Sequence, residues 1–185
     1  MIQLFNKHYR RYKVNAIKKA YPKTNQQRKD LQSANHIAIL FDASEEKAQE
    51  IATDFGDKLR QSGKKVTILG YVPKLRKSEQ VPSFSYFTKR DLRNLSDTKC
   101  EVLSRFLKTE FDLFIGLFRT PNLQLEHLAY LTKASFKVGH YCLDHFSFDF
   151  LIEDKGGFNL KQMALDIHKY LPKITTKTKQ LALAN

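Results

Sequence analysis

From His36 onward, short apolar runs alternate with stretches whose apolar residues recur every three or four positions, the pattern of strands feeding amphipathic helices. The first run, Ile37 to Phe41, closes at Asp42. A helix follows, with Ala48, Ile51, Ala52, Phe55 and Leu59 on one side, Asp42 or Ser44 as its N-cap and Gly63 as its stop. Val66 to Val72 is the second run, closed by Pro73, and a short apolar piece covers Ser83 to Phe87. A helix over 99–108 with Val102, Leu103, Phe106 and Leu107 inward leads to the fourth run, Phe111 to Phe118. Another over 122–133 turns Leu125, Leu128, Ala129 and Tyr130 inward before a strand from Phe136 to Tyr141. Phe146, Phe148, Phe150 and Ile152 alternate with polar or smaller positions as in a strand, and a last helix runs from Leu160 to Leu171 and stops at Pro172.

Runs such as 37–41 and 113–118 have no polar face, so their strands are covered on both sides. The pattern therefore predicts an α/β fold, a three-layer Rossmann-like or flavodoxin-like, mainly parallel sheet of five or six strands with right-handed crossovers. The short piece 83–87 and the alternating run 146–152 each suit a sheet edge.

The segment before His36 is of another kind. On a helical wheel Phe5, Tyr9, Tyr12, Ala16 and Ala20 share one arc, while Lys7, Arg10, Arg11 and Lys18 share the opposite one. This is a basic amphipathic helix, ended by Pro22 and followed by a polar linker to Asn35. The expected organisation is a basic helix and linker over 1–35, an α/β domain over 36–172 and a basic flexible tail over 173–185.

Charge sharpens this division. The chain carries +13. Residues 1–35 hold nine cations (Lys7, Arg10, Arg11, Lys13, Lys18, Lys19, Lys23, Arg28 and Lys29) against Asp30 alone, a net +8, and residues 173–185 add +3, so the body is left with +2. Only two cysteines, Cys100 and Cys142, are present, without zinc-knuckle spacing or disulfide-scaffold density; reduced thiols point to the cytoplasm. No run approaches the ~18 apolar residues of a membrane span.

The strand-end loops hold the candidate chemistry. After the first strand stands Asp42-Ala43-Ser44-Glu45-Glu46, where a nucleotide phosphate needs glycine and bare N–H groups. Acids there favour the helix dipole and repel phosphate. None of the seven glycines builds a dinucleotide or phosphate-binding loop, and no cofactor is expected. Arg119-Thr120-Pro121-Asn122 places a cation and a hydroxyl before a helix start, so Asp42, Ser44, Arg119 and Thr120 form the candidate ligand loop; the same residues also read as a Thr or Asn helix cap. His140, Cys142, Asp144 and His145 are the nearest approach to a metal or Cys-His grouping. The pair Glu153-Asp154 reads as a solvated turn. No constellation calls for catalysis.

Phe111-Asp112-Leu113-Phe114-Ile115-Gly116-Leu117, then Leu125, Leu128, Ala129 and Leu131, then Ala134-Ser135-Phe136-Lys137-Val138-Gly139 resemble the N-terminal half of heptosyltransferase-type glycosyltransferases over about thirty residues. The resemblance implies a Rossmann-like half-domain. The whole chain also resembles a family of short bacterial proteins with no assigned activity.

The charge segregation carries the functional expectation. A basic helix with aromatics, a basic linker and a basic tail suit neutralisation of phosphates without base recognition, hence a non-catalytic protein binding structured RNA, ribosomal RNA included. Arg10 and Arg11 would fork onto phosphates, and Tyr9 or Tyr12 would stack on an unpaired base. Lys74, Arg76, Lys77, Lys89, Arg90 and Arg93 would widen the surface. Two alternatives stand beside it: a small glycosyltransferase-like or phosphate-ligand domain using Asp42 and Arg119, and weak contact of the N-terminal helix with an anionic membrane surface.

Overall fold

Ile37 to Phe41 must be covered above, below and on both flanks, and only the middle of a sheet provides that. In the computed structural model, which describes residues 33–73, 81–92, 100–118, 122–140, 147–153 and 159–173 and the isolated positions 15 and 19, that is where the run lies. Strand β1 (His36–Asp42) pairs in parallel with β2 (Lys65–Val72), Ile39 facing Ile68, and with β4 (Glu110–Leu117), Ile39 facing Ile115. Strand β3 (Tyr86–Thr88) adds to β2, β5 (Lys133–His140) to β4, and β6 (Phe150–Ile152) to β5, every pairing parallel. The order is β3-β2-β1-β4-β5-β6. Both short pieces are edges.

Among the described residues four helices complete the layers: α1 (Ala48–Gln61), α2 (Glu101–Lys108), α3 (Leu123–Leu131) and α4 (Leu160–Tyr170), the last running into a 3-10 turn at Leu171–Lys173. Alternate residues of the strands point to opposite layers. Ile37, Ile39 and Phe41 meet Ala52 and Phe55 of α1 and Met163 and Ile167 of α4 in one core, while Ala38, Leu40 and Phe114 meet Leu103 and Phe106 of α2 and Leu125 and Leu128 of α3 in the other. Each of the larger of these side chains, fully withdrawn from water, stabilises the fold by about 1.5–3 kcal/mol before conformational entropy is charged against it.

Several local expectations change. The N-cap of α1 is neither Asp42 nor Ser44 but Lys47, at φ 57° with no side-chain cap bond; Asp42 is turned to Ser44 and Asn122 instead. Val102 is 40% exposed, because the two-turn helix α2 packs on the core through the stripe of Leu103, Phe106 and Leu107 on its other side. Helix α3 ends at Leu131, two residues early, because Lys133 already pairs with Glu110 as the first residue of β5. The run 146–152 is not one strand. Among its described residues only Phe150–Ile152 pair along β5, and Asp149 sits beside Lys137, donating its N–H to the Lys137 carbonyl (2.8 Å) and accepting the Lys137 N–H on Oδ2 (2.9 Å).

That attachment sets the Phe148 ring over the backbone of β4 and β5. A Cβ at Gly139 would come within 2.7 Å of the ring, and one at Gly116 within 3.0 Å. At the end of α1, Gly63 takes φ 79° and its N–H donates to Arg60 O, the left-handed stop that the sequence predicts. Gly139→Ala is expected to cost about 1–3 kcal/mol through overpacking, read as a lower denaturant midpoint with unchanged slope. In a Phe148→Leu background the same substitution should cost clearly less.

Candidate functional site

In a parallel sheet the crevice outside the carboxyl ends opens where the strand order reverses, because the crossovers on either side leave to opposite faces. Here that point lies between β1 and β4. β1 delivers Asp42 to it, 5% exposed. Its Oδ1 accepts the Ser44 N–H (3.0 Å) and the Ser44 hydroxyl (2.6 Å), and its Oδ2 accepts the Asn122 amide (3.3 Å). Asn122 works at both ends of its side chain, since its own oxygen accepts the N–H groups of Gln124 (3.0 Å) and Leu125 (3.4 Å) and so caps α3. Tyr71 of β2 stands in register with Asp42. Burial, and after it the Asp42 charge, pushes its phenol above the ordinary value of 10.0.

The structure thus brings Asp42 and Ser44 together. Arg119 and Thr120, the cationic half of the candidate loop, lie outside the described residues. The Asn cap is confirmed, and Asn122 and Tyr71 are additions: Tyr71 enters the site only through strand register, which a single strand's sequence does not encode. Chemically, what is assembled accepts hydrogen bonds, so it suits hydroxyl or amine donors better than a bare phosphate. Along the adjoining groove between α1 and α4, about 880 Å³ in volume, the α1 wall carries Glu45, Glu46, Glu50 and Asp54 together with Lys47 and Lys58, and the α4 wall carries Lys161 and His168.

The remaining buried polar groups are mostly occupied with the fold. Lys137 is 5% exposed and its Nζ donates to the carbonyls of Ala129 (2.6 Å) and Tyr130 (3.0 Å) at the end of α3, where a cation is favoured by the helix dipole. The Ser147 hydroxyl donates to the Glu126 carbonyl (2.9 Å). His140 ends β5, while Cys142, Asp144 and His145 lie outside the described residues, among which no three His, Cys, Asp or Glu side chains are grouped to hold a metal. Of the candidate RNA-binding residues, Lys7, Tyr9, Arg10, Arg11, Tyr12, Lys13, Lys18, Lys23, Arg28 and Lys29 also lie outside them; Lys19 is exposed. Lys89 and Arg90 are exposed just past β3, and Lys74, Arg76, Lys77 and Arg93 are again outside. Among the described residues no helix is long and apolar enough to cross a membrane.

The model of a family of unknown function, DUF6913, matches residues 7–174. The chain belongs to that family. This agrees with the resemblance of the whole chain to proteins without an assigned activity. No curated protein matches the DUF6913 chain. A solved structure, that of an exopolyphosphatase-related protein from Bacteroides fragilis, aligns with a TM-score of 0.49 at 13% identity, covering 75% of this chain and 41% of that one.

Two half-buried histidines give the domain a pH dependence. His127 of α3 has its Nε2 within the protein without a hydrogen-bond partner among the described residues, and burial lowers its pKa from 6.5. His36 lies with Nε2 3.0 Å from Thr67 Oγ1 and its ring edge-on to Phe111; burial lowers its pKa first, then Lys65, against an opposing pull from Asp112. Well above 6.5 both rings are neutral in the folded and unfolded chain, so they do not alter stability. As pH falls through 6.5 toward the lower folded values, the unfolded chain binds protons first and the fold loses stability. The denaturant midpoint is therefore expected to fall as the pH is lowered below about 6.5. His127→Gln should flatten part of that fall. Asp42→Asn should cost about 1–3 kcal/mol at neutral pH, because turning an amide to accept from Ser44 sets its NH2 against that of Asn122.

Proposed function

We propose that the protein binds structured RNA without catalysing a reaction, as a component or companion of a ribosomal particle, and that its cationic N-terminal segment makes the main contact with the phosphate backbone. One observation carries this reading. Residues 1–35 hold a net +8 and residues 173–185 a net +3, while residues 36–172 hold only +2, and the two cationic segments adjoin the body at the same side of the sheet. Ser33 to Asn35 lead into the first residue of β1, and Leu171–Lys173 follow α4, which comes after β6, runs back along the sheet and shares one groove with α1. Both segments therefore begin at the amino edge, the side where the strands start.

The opposite edge supports the same division of labour. At the β1/β4 switch point stand a buried carboxylate and, just after it, Glu45 and Glu46, surroundings that repel a phosphate brought there directly. Phe148 occupies the space that Gly116 and Gly139 leave open. A polyanion is accordingly held by the terminal segments, through charge and with little base selection.

In the full-length chain, Arg10→Gln, Arg11→Gln, Lys13→Gln, Lys18→Gln and Lys19→Gln together are expected to lower the slope of log affinity against log salt by about 3 to 4 for an RNA hairpin. Thermal melting should be unchanged. In a sucrose gradient of lysate, wild-type protein should migrate with ribosomal particles at low salt and leave them at high salt, and the quintuple variant should stay at the top. Wild-type protein remaining at the top at low salt would remove the ribosomal assignment, and equal RNA affinity of the two proteins would remove the role of the N-terminal segment.

A further inference from the structure

The near-neutrality of the body conceals a separation of charge along the strand axis. Because all six strands run one way and the crossover helices run back, the last turns of the helices collect at the amino edge. Lys58 and Arg60 of α1, Arg105 and Lys108 of α2 and Lys169 of α4 are there. The helix dipole accounts for these five. It does not account for Lys65 and Lys133, both exposed, which lead β2 and β5 into the sheet.

The acids described at this edge are already engaged. Asp57 pairs with Arg60 at 2.7 Å, Glu110 lies 3.9 Å from Lys133, and Asp112 Oδ2 accepts the backbone N–H groups of Asn35 (2.7 Å) and His36 (3.0 Å). The Lys133 contact is long and solvent-exposed, and such a pair holds its lysine only weakly. At the carboxyl edge the balance is reversed. Asp42, Glu45 and Glu46 stand there with Glu50, Glu101 and Glu126 in the first turns of α1 to α3, against Lys47, Lys89, Arg90 and Lys161 among the described residues.

We infer that the amino edge of the sheet is a second RNA-binding surface, the folded body's own share of phosphate contact. This rests on the RNA-binding reading above and adds a location on the folded domain. From β2 to β5 there are three interstrand spacings, roughly 14 Å, enough to span several phosphates at one charge per ~1.7 Å of duplex axis. Charge without apolar anchors favours a nucleic acid over a lipid surface. Of the exposed large apolar residues among the described ones, Val81, Val102, Leu165 and Tyr170, only Tyr170 belongs to a helix end at this edge, and Lys169 lies over its ring at 5.4 Å.

The test uses full-length protein and a fluorescein-labelled RNA hairpin, with affinity read by anisotropy across a salt series. Lys65→Glu, Lys108→Glu and Lys133→Glu together should weaken binding about tenfold or more and lower the salt slope by about 2 to 3. Lys47→Glu and Lys161→Glu together, charge reversals at the carboxyl edge, should leave binding within about threefold. Thermal melting checks that both variants fold. Wild-type affinity in the amino-edge variant, or equal loss in the two variants, overturns the inference. If the N-terminal glutamine variant loses binding while the amino-edge variant does not, RNA binding stands and the edge is excluded. If wild-type protein fails to bind the hairpin, both readings fall together. Binding to phosphatidylserine vesicles but not to RNA, lost in the amino-edge triple, would assign the edge to a membrane and overturn the RNA proposal.

Discussion

The fold depends on β1 being apolar at five successive positions. A strand of that kind is stable only when two neighbours pair with it and a helix layer covers each face. Once β1 is central, β2 and β4 must flank it, the crossovers must leave to opposite faces, and the reversal of strand order falls beside its end. Both ends of the strand are tied by carboxylates. Asp112 of β4 accepts the amides of Asn35 and His36 at the entry, and Asp42 at the exit holds Ser44 and Asn122. A strand with no polar side chain between its ends is thus registered by polar contacts at those ends.

Much of this was legible in the amino-acid order because burial on two faces leaves a plain mark. The runs at 37–41 and 113–118 announce strands covered on both sides, the run at 66–72 announces a further strand, and the three- to four-residue periods at 48–59 and 160–171 announce helices. Phe148 was misleading for a physical reason. Its place in an alternating series says strand, but the glycines at 116 and 139 offer the ring a seat above the neighbouring strands, and Asp149 bonds to Lys137 to hold it there. Period-two alternation cannot distinguish a side chain facing one layer from a ring laid across a gap. The cap of α1 eluded the sequence because Asp42 has two competing uses, and the contact with Asn122, eighty residues away, prevails.

The site was legible only in part. Asp42 and Ser44 follow from being the first polar residues after a buried strand. Tyr71 and the second role of Asn122 depend on register and on which helix starts beside which strand, and these are properties of the assembled sheet. The charge pattern behaves in the same way. A composition count gives the body +2 and suggests an even surface, whereas the parallel topology sorts the helix-end cations to one side and the helix-start acids to the other. The sorting comes from the direction of the chain and needs no special residue.

That both termini join the body on one side also fixes how the molecule is presented. Whatever holds the chain by its ends holds it in one orientation, with the side bearing Asp42, Tyr71 and the α1/α4 groove turned outward. A domain held in that way is a mounted platform, and the mounted side is set by where the first strand begins and the last helix ends.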